Sequence, residues 1–173
     1  MSDKERKNKK TAMEAASGYL ASRMRTCSEV RKYLEDREYT AQETDDAVSE
    51  LVSLGYLDDY DYALRYYEYN REKKRGRLRA ERELAERGVD RETIRNAYED
   101  FQYENSVNEY EDALSVAKRE VFETADDGSG DIIQKEIDEK LIAKIGRKLE
   151  NRGFRSDDIY RVMSEVRTWK KEI

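Results

Sequence analysis

Three stretches of the chain align without a gap: Leu34-Glu-Asp-Arg37-Glu-Tyr39, Leu84-Ala-Glu-Arg87-Gly-Val89 and Leu149-Glu-Asn-Arg152-Gly-Phe154, at offsets of 50 and 65 residues. Five positions past Tyr39, Val89 and Phe154 stand Thr44, Ile94 and Ile159, and eight past stand Ala47, Ala97 and Val162. A match that runs through a helix end, a turn and the next helix marks one supersecondary unit used three times. Such units bury their apolar faces against one another, so the chain is restricted to a tandem array. Pro is absent and Gly occurs only 8 times, which leaves little to interrupt helices. With 37% hydrophobic and 43% charged residues, thin seams between helices are easier to bury than one thick core.

Residues 1–10 carry no apolar periodicity and are expected to form a disordered tail. Thr11-Ala-Met-Glu14, Thr26-Cys-Ser-Glu29 and Thr40-Ala-Gln-Glu43 each have capping-box spacing. The apolar stripes behind them are Ala16, Leu20 and Met24, then Val30, Tyr33 and Leu34, then Ala47, Val48 and Leu51. They define a first three-helix repeat over 11–57.

Gly55 suits the αL end of that repeat, and Asp58 or Asp59 the N-cap of the next helix. Gly88 and Gly153 are expected to be corners of the same kind. The second repeat covers 58–103 and the third 104–173. In the third, a helix is expected from about Val107 to Thr124, then an acidic loop at 125–131, then helices from Ile132 to Asn151 and from Asp157 to about Trp169. The expected class is all-α. On the helix after Gly55, Tyr60, Ala63, Leu64 and Tyr67 share one face, and Tyr62, Tyr66 and Tyr69 a roughly opposite one. Burial on two sides accounts for this better than an exposed row stacking on bases.

The chain has no His and one Cys, which removes the usual general base, the commonest zinc ligand and any intramolecular disulfide. Cys27 lies in a capping segment and reads as a small buried filler. Asp126-Asp-Gly-Ser-Gly-Asp131 lacks the alternation of a calcium loop, and Ile137 stands where its twelfth-position glutamate belongs. The expectation is a non-enzyme with no metal or cofactor. A polar start, a lone cysteine and no apolar run near ~18 residues point to a soluble cytoplasmic protein with no membrane partner; a monomer is expected.

The net charge is −6, yet Arg71–Arg87 holds eight Lys and Arg against four Glu. Arg71, Lys73, Lys74, Arg75, Arg77, Arg79 and Arg82 are therefore candidates to face a partner, joined by Lys144 and Lys148 from a second basic run. Such a surface suits phosphates or an acidic protein, or is simply a solvated helix face.

Leu54-Gly-Tyr-Leu-Asp-Asp59, Tyr62-Ala63, Tyr66, Gly76, Glu83-Leu84 and Arg87-Gly-Val89 together resemble the central signature of the bacterial RecX regulatory proteins. Ser28-Glu-Val-Arg-Lys-Tyr-Leu34 and Lys148-Leu-Glu-Asn-Arg-Gly-Phe154 are similar to that family's first and third repeats, so the resemblance covers roughly 12–168. It implies an elongated, curved molecule of three tandem three-helix repeats. The implied partner is the RecA recombinase filament on single-stranded DNA, whose ATP hydrolysis and strand exchange members suppress. The alternative is a helical module that binds DNA directly. The chain departs from the pattern at Gly76-Arg77, where Gly-Pro is common, and at Asn70, Lys74, Ala80 and Glu81.

Overall fold

The computed structural model describes residues 10–124 and 132–169. Among them are nine helices and one small hairpin: α1 (Ala12–Leu20), α2 (Cys27–Glu35), α3 (Ala41–Ser53), α4 (Asp59–Glu72), α5 (Arg77–Glu86), α6 (Arg91–Asn105), α7 (Glu109–Val121), β1 (Phe122–Thr124), β2 (Ile132–Gln134), α8 (Glu139–Asn151) and α9 (Ser156–Trp169). The fold is all-α in triplets, with the hairpin as an addition. Contacts group the chain into two compact units, residues 1–65 with 84–98 and residues 66–83 with 99–173.

The first unit starts from three capping boxes. Thr11, Thr26 and Thr40 each accept from the backbone N–H three residues on, and Glu14, Glu29 and Glu43 reach back to the cap N–H. The helices then bury Ala12, Ala15, Ala16, Val30, Leu34, Ala47, Val48 and Leu51 in one cluster with Leu57. Met24 does not join them. Helix α1 ends at Leu20, so the stripe stops short of Met24, which is 44% exposed. On the flank of this unit Tyr19 and Tyr33 stack at 3.9 Å between centroids, with the guanidinium of Arg25 over the first ring and that of Arg37 over the second.

The second unit centres on Ala113, Leu114, Val116, Ala117, Val121, Ile142, Ile145, Leu149, Phe154, Val162 and Val166. Two expected helix limits are corrected here. Helix α7 ends at Val121 rather than Thr124, and the segment expected to be helical from Ile132 is strand β2, with α8 starting at Glu139. The strands pair antiparallel with Phe122 opposite Gln134, and Lys135 N–H donates to Val121 O at 2.8 Å. Phe122 meets Trp169 of α9 at 5.6 Å. The two strands fall within the stretch that lengthens the third repeat. The expected acidic loop at 125–131 and tail residues 1–9 lie outside the described residues.

The threefold signature is one C-terminal cap built three times. Tyr39, Val89 and Phe154 each donate their N–H to the carbonyl of Leu34, Leu84 and Leu149, at 3.2 Å in every case. All three leucines are fully buried. The residue before each donor has positive φ: Glu38 at 60°, Gly88 at 79° and Gly153 at 81°. Gly55 closes α3 in the same left-handed region at 74°.

Candidate basic groove

Helix α4 ends at Glu72, and the chain turns through Lys74, whose φ is 53°, before α5 starts at Arg77. Arg75 N–H donates to Asn70 O at 2.9 Å, closing the end of α4. Four further bonds fix this corner on the end of α8. Gly76 N–H donates to Arg152 O at 2.8 Å, and Leu78 N–H to Gly153 O at 3.1 Å. In return, Arg152 Nη1 donates to the carbonyls of Lys73 and Lys74, both at 2.8 Å. Gly76 is glycine for reasons of space. A Cβ built there would lie 2.4 Å from Gly153 O.

This corner and the face of α8 enclose an open groove of about 610 Å³, lined by Lys73, Arg75, Arg79, Lys144, Arg147, Lys148, Asn151 and Arg152. Among the described residues, no acidic one lines it. Two acids outside the lining hold some of its cations. Arg79 Nε donates to Glu83 at 2.9 Å, while its Nη1 donates to Asn151 O at 3.3 Å. Burial pushes the Glu83 carboxyl up, but the Tyr66 hydroxyl and Arg79 outweigh that and leave it below the ordinary range. Glu120, on α7, pairs with Lys148 and, at 3.0 Å, with Lys144. The Lys148 hydrogen bond is the largest reason its carboxyl is held below the usual value, with Lys144 adding to it. Lys73 and Arg75 each lie 5.7 Å from the ring centre of Tyr69, which is 43% exposed.

The expected basic set is thus only partly assembled. Lys73, Arg75, Arg79, Lys144 and Lys148 meet in the groove. Arg82 lines a neighbouring cleft with Leu78, Phe154, Ile159, Tyr160 and Met163. Arg71 and Lys74 turn to Asp112, at 3.4 and 3.2 Å, and Arg77 pairs with Glu81 at 2.5 Å.

Asp58 and Asp59 separate in role. The Asp58 carboxylate accepts the Tyr60 and Asp61 N–H groups at 2.9 and 3.0 Å, so it is the N-cap of α4. Asp59 accepts the Cys27 N–H at 2.8 Å instead. Glu109, fifty residues on, does the same for Arg77 N–H at 2.6 Å. Burial raises both carboxyls above their ordinary values. Glu109 could have been found by carrying the 50-residue offset from Asp59, whereas no local signal marks Glu120. Burial, then the Asp59 charge and hydrogen bond, push the Cys27 thiol up to about 11, where it is a poor nucleophile.

No group of three His, Cys, Asp or Glu among the described residues could hold a metal, and no described helix is long and apolar enough to cross a membrane.

Residues 12–51 match the model of the first three-helix domain of RecX. The regulatory protein RecX of Lactobacillus delbrueckii subsp. bulgaricus is 35% identical over 135 residues, 78% of this chain and 47% of that protein. The regulatory protein RecX of Halalkalibacterium halodurans is 31% identical over 127 residues, 73% of this chain and 46% of that protein. The chain therefore spans about half the length of these curated relatives. In fold, it is similar to the crystal structure of RecX from Lactobacillus salivarius, with a TM-score of 0.70 at 21% identity over 91% of this chain and 95% of that one. With its repeat signature, first domain and relatives in agreement, the chain belongs to the RecX family.

Proposed function

We propose that this chain is a non-enzymatic regulator that docks on a RecA recombinase filament assembled on single-stranded DNA and lowers its ATP hydrolysis and strand exchange. The observation that carries the reading is the groove of seven cationic side chains, with no acid in its lining among the described residues, in a member of the RecX family. A filament offers a repeated polyanionic target, so modest contacts at each repeat add through multivalency. The residues assigned to contact are Lys73, Arg75, Arg79, Lys144, Arg147 and Lys148, with Arg82 beside them. Arg71, Lys74 and Arg77 serve the fold through Asp112 and Glu81.

The test is RecA-catalysed ATP hydrolysis on single-stranded DNA, measured against increasing amounts of the chain. Wild type should inhibit, and Arg75→Glu with Arg147→Glu should inhibit far less at unchanged helicity. Equal inhibition by the two would remove the groove from the mechanism. No inhibition by wild type would remove the mechanism itself.

A further inference from the structure

Two of the groove's cations do not face solvent unopposed. Lys144 and Lys148 lie one helical turn apart on α8, and both pair with Glu120, whose side chain is only 12% exposed. Lys73, Arg75 and Arg147 line the same groove, and among the described residues none of them forms a close ion pair, although the Arg75 charge is felt by Glu83. The lining also lacks any apolar side chain that could anchor a protein partner, and protein interfaces depend on such anchors. A phosphodiester backbone needs only cations and amide donors. We propose that Glu120 is the groove's own counter-ion: it occupies Lys144 and Lys148 until the phosphates of a single strand displace it, and so it sets the groove's affinity. This rests on the assignment of the groove as a contact surface but not on any effect on the recombinase.

The geometry makes the competition direct. A lysine ammonium is a compact point charge with rotatable donors, so it can exchange a carboxylate for a phosphate without moving its helix. With Glu120 in place, a bound strand recovers little from those two lysines, because part of their attraction is cancelled. Without it, two more cations can each neutralise a phosphate and release counter-ions.

The experiment is fluorescence anisotropy of a labelled oligo-deoxythymidine with the full chain, across a salt series and without recombinase. Glu120→Gln should bind about fivefold more tightly at low salt and steepen the logarithmic salt slope by up to ~1.4, the share of two added phosphate contacts on a single strand. Lys144→Gln alone should cost much less affinity than Arg147→Gln, since Glu120 already engages Lys144. That second comparison does not depend on Glu120→Gln being stable. Unchanged or weaker binding by a folded Glu120→Gln, or equal losses from the two α8 variants, would overturn the role of Glu120. If Arg75→Glu with Arg147→Glu binds as wild type does, the groove assignment falls as well. Loss of the effect on RecA alone would leave the Glu120 inference standing.

Discussion

The first and second units each contain one join where the start of a repeat's second helix meets the corner of the next repeat. In the first unit, Thr26 Oγ1 donates to Arg87 O at 2.7 Å, and Asp59 accepts Cys27 N–H. In the second, Gly76 N–H donates to Arg152 O at 2.8 Å, and Glu109 accepts Arg77 N–H. Every position in one join is related to its counterpart by the repeat offsets of 50 or 65 residues. The difference lies in what makes the bond. Thr26 has its own N–H committed to Glu29, so its hydroxyl bridges the gap. Gly76 has no side chain, so the backbones close up and the amide donates directly. One join tolerates a side chain and the other excludes it.

The largest expected effect tests that exclusion. Gly76→Ala places a methyl 2.4–2.5 Å from Gly153 and Phe154 backbone atoms, and should cost about 3 kcal/mol, since overpacking against backbone has few ways to relax. A shift of that size in the urea midpoint checks it. In the first unit, Thr26→Ala removes a buried cap and the hydrogen bond to Arg87 O. It should cost about 1–2 kcal/mol by the same measurement. If the two variants cost the same, the joins do not differ in the way described.

A smaller difference should depend on pH. Burial lifts Glu109 above its ordinary value, so its contribution to stability is full below that value and is lost as pH rises through the raised one. Melting temperatures of wild type and Glu109→Gln should therefore diverge between acid and neutral pH, with wild type losing ground as pH rises. Asp59→Asn should behave alike, because Asp59 is raised for the same leading reason. Matching pH profiles for wild type and the Glu109 variant would show that the carboxyl is not desolvated.

The smallest expected effect is a gain. Glu38 holds the left-handed corner that glycine fills in the other two repeats, with φ of 60°. Glu38→Gly should raise stability by about 0.5–1 kcal/mol, the relief of αL strain less the entropy glycine adds to the unfolded chain. A lower melting point for that variant would mean that the glutamate is not strained there.

The parts of the fold written in consecutive residues were legible. Capping boxes at Thr11, Thr26 and Thr40, the αL glycines and the buried leucine of each repeat are local signals, and each lies where the spacing placed it. Misreadings came where a local pattern ran past its structural reason. The stripe toward Met24 continued a helix that stops at Leu20, and the apolar residues at Ile132 and Ile133 looked like a helix start. The groove was half legible for the same reason. A run of basic residues shows in the chain, but Asp112 and Glu81 claim three of them from other turns or helices. Glu120 faces its lysines across 24 and 28 positions, beyond any local pattern.

Both joins end on a main-chain oxygen, that of Arg87 in one and Arg152 in the other. No substitution can delete a carbonyl, so the accepting half of each seam is beyond the reach of point mutation. The Arg152 side chain adds a second tie in its seam through the Lys73 and Lys74 carbonyls, but the accepting oxygen stays whatever side chain stands there. A family built on such seams can drift far in sequence and still stack its bricks in order.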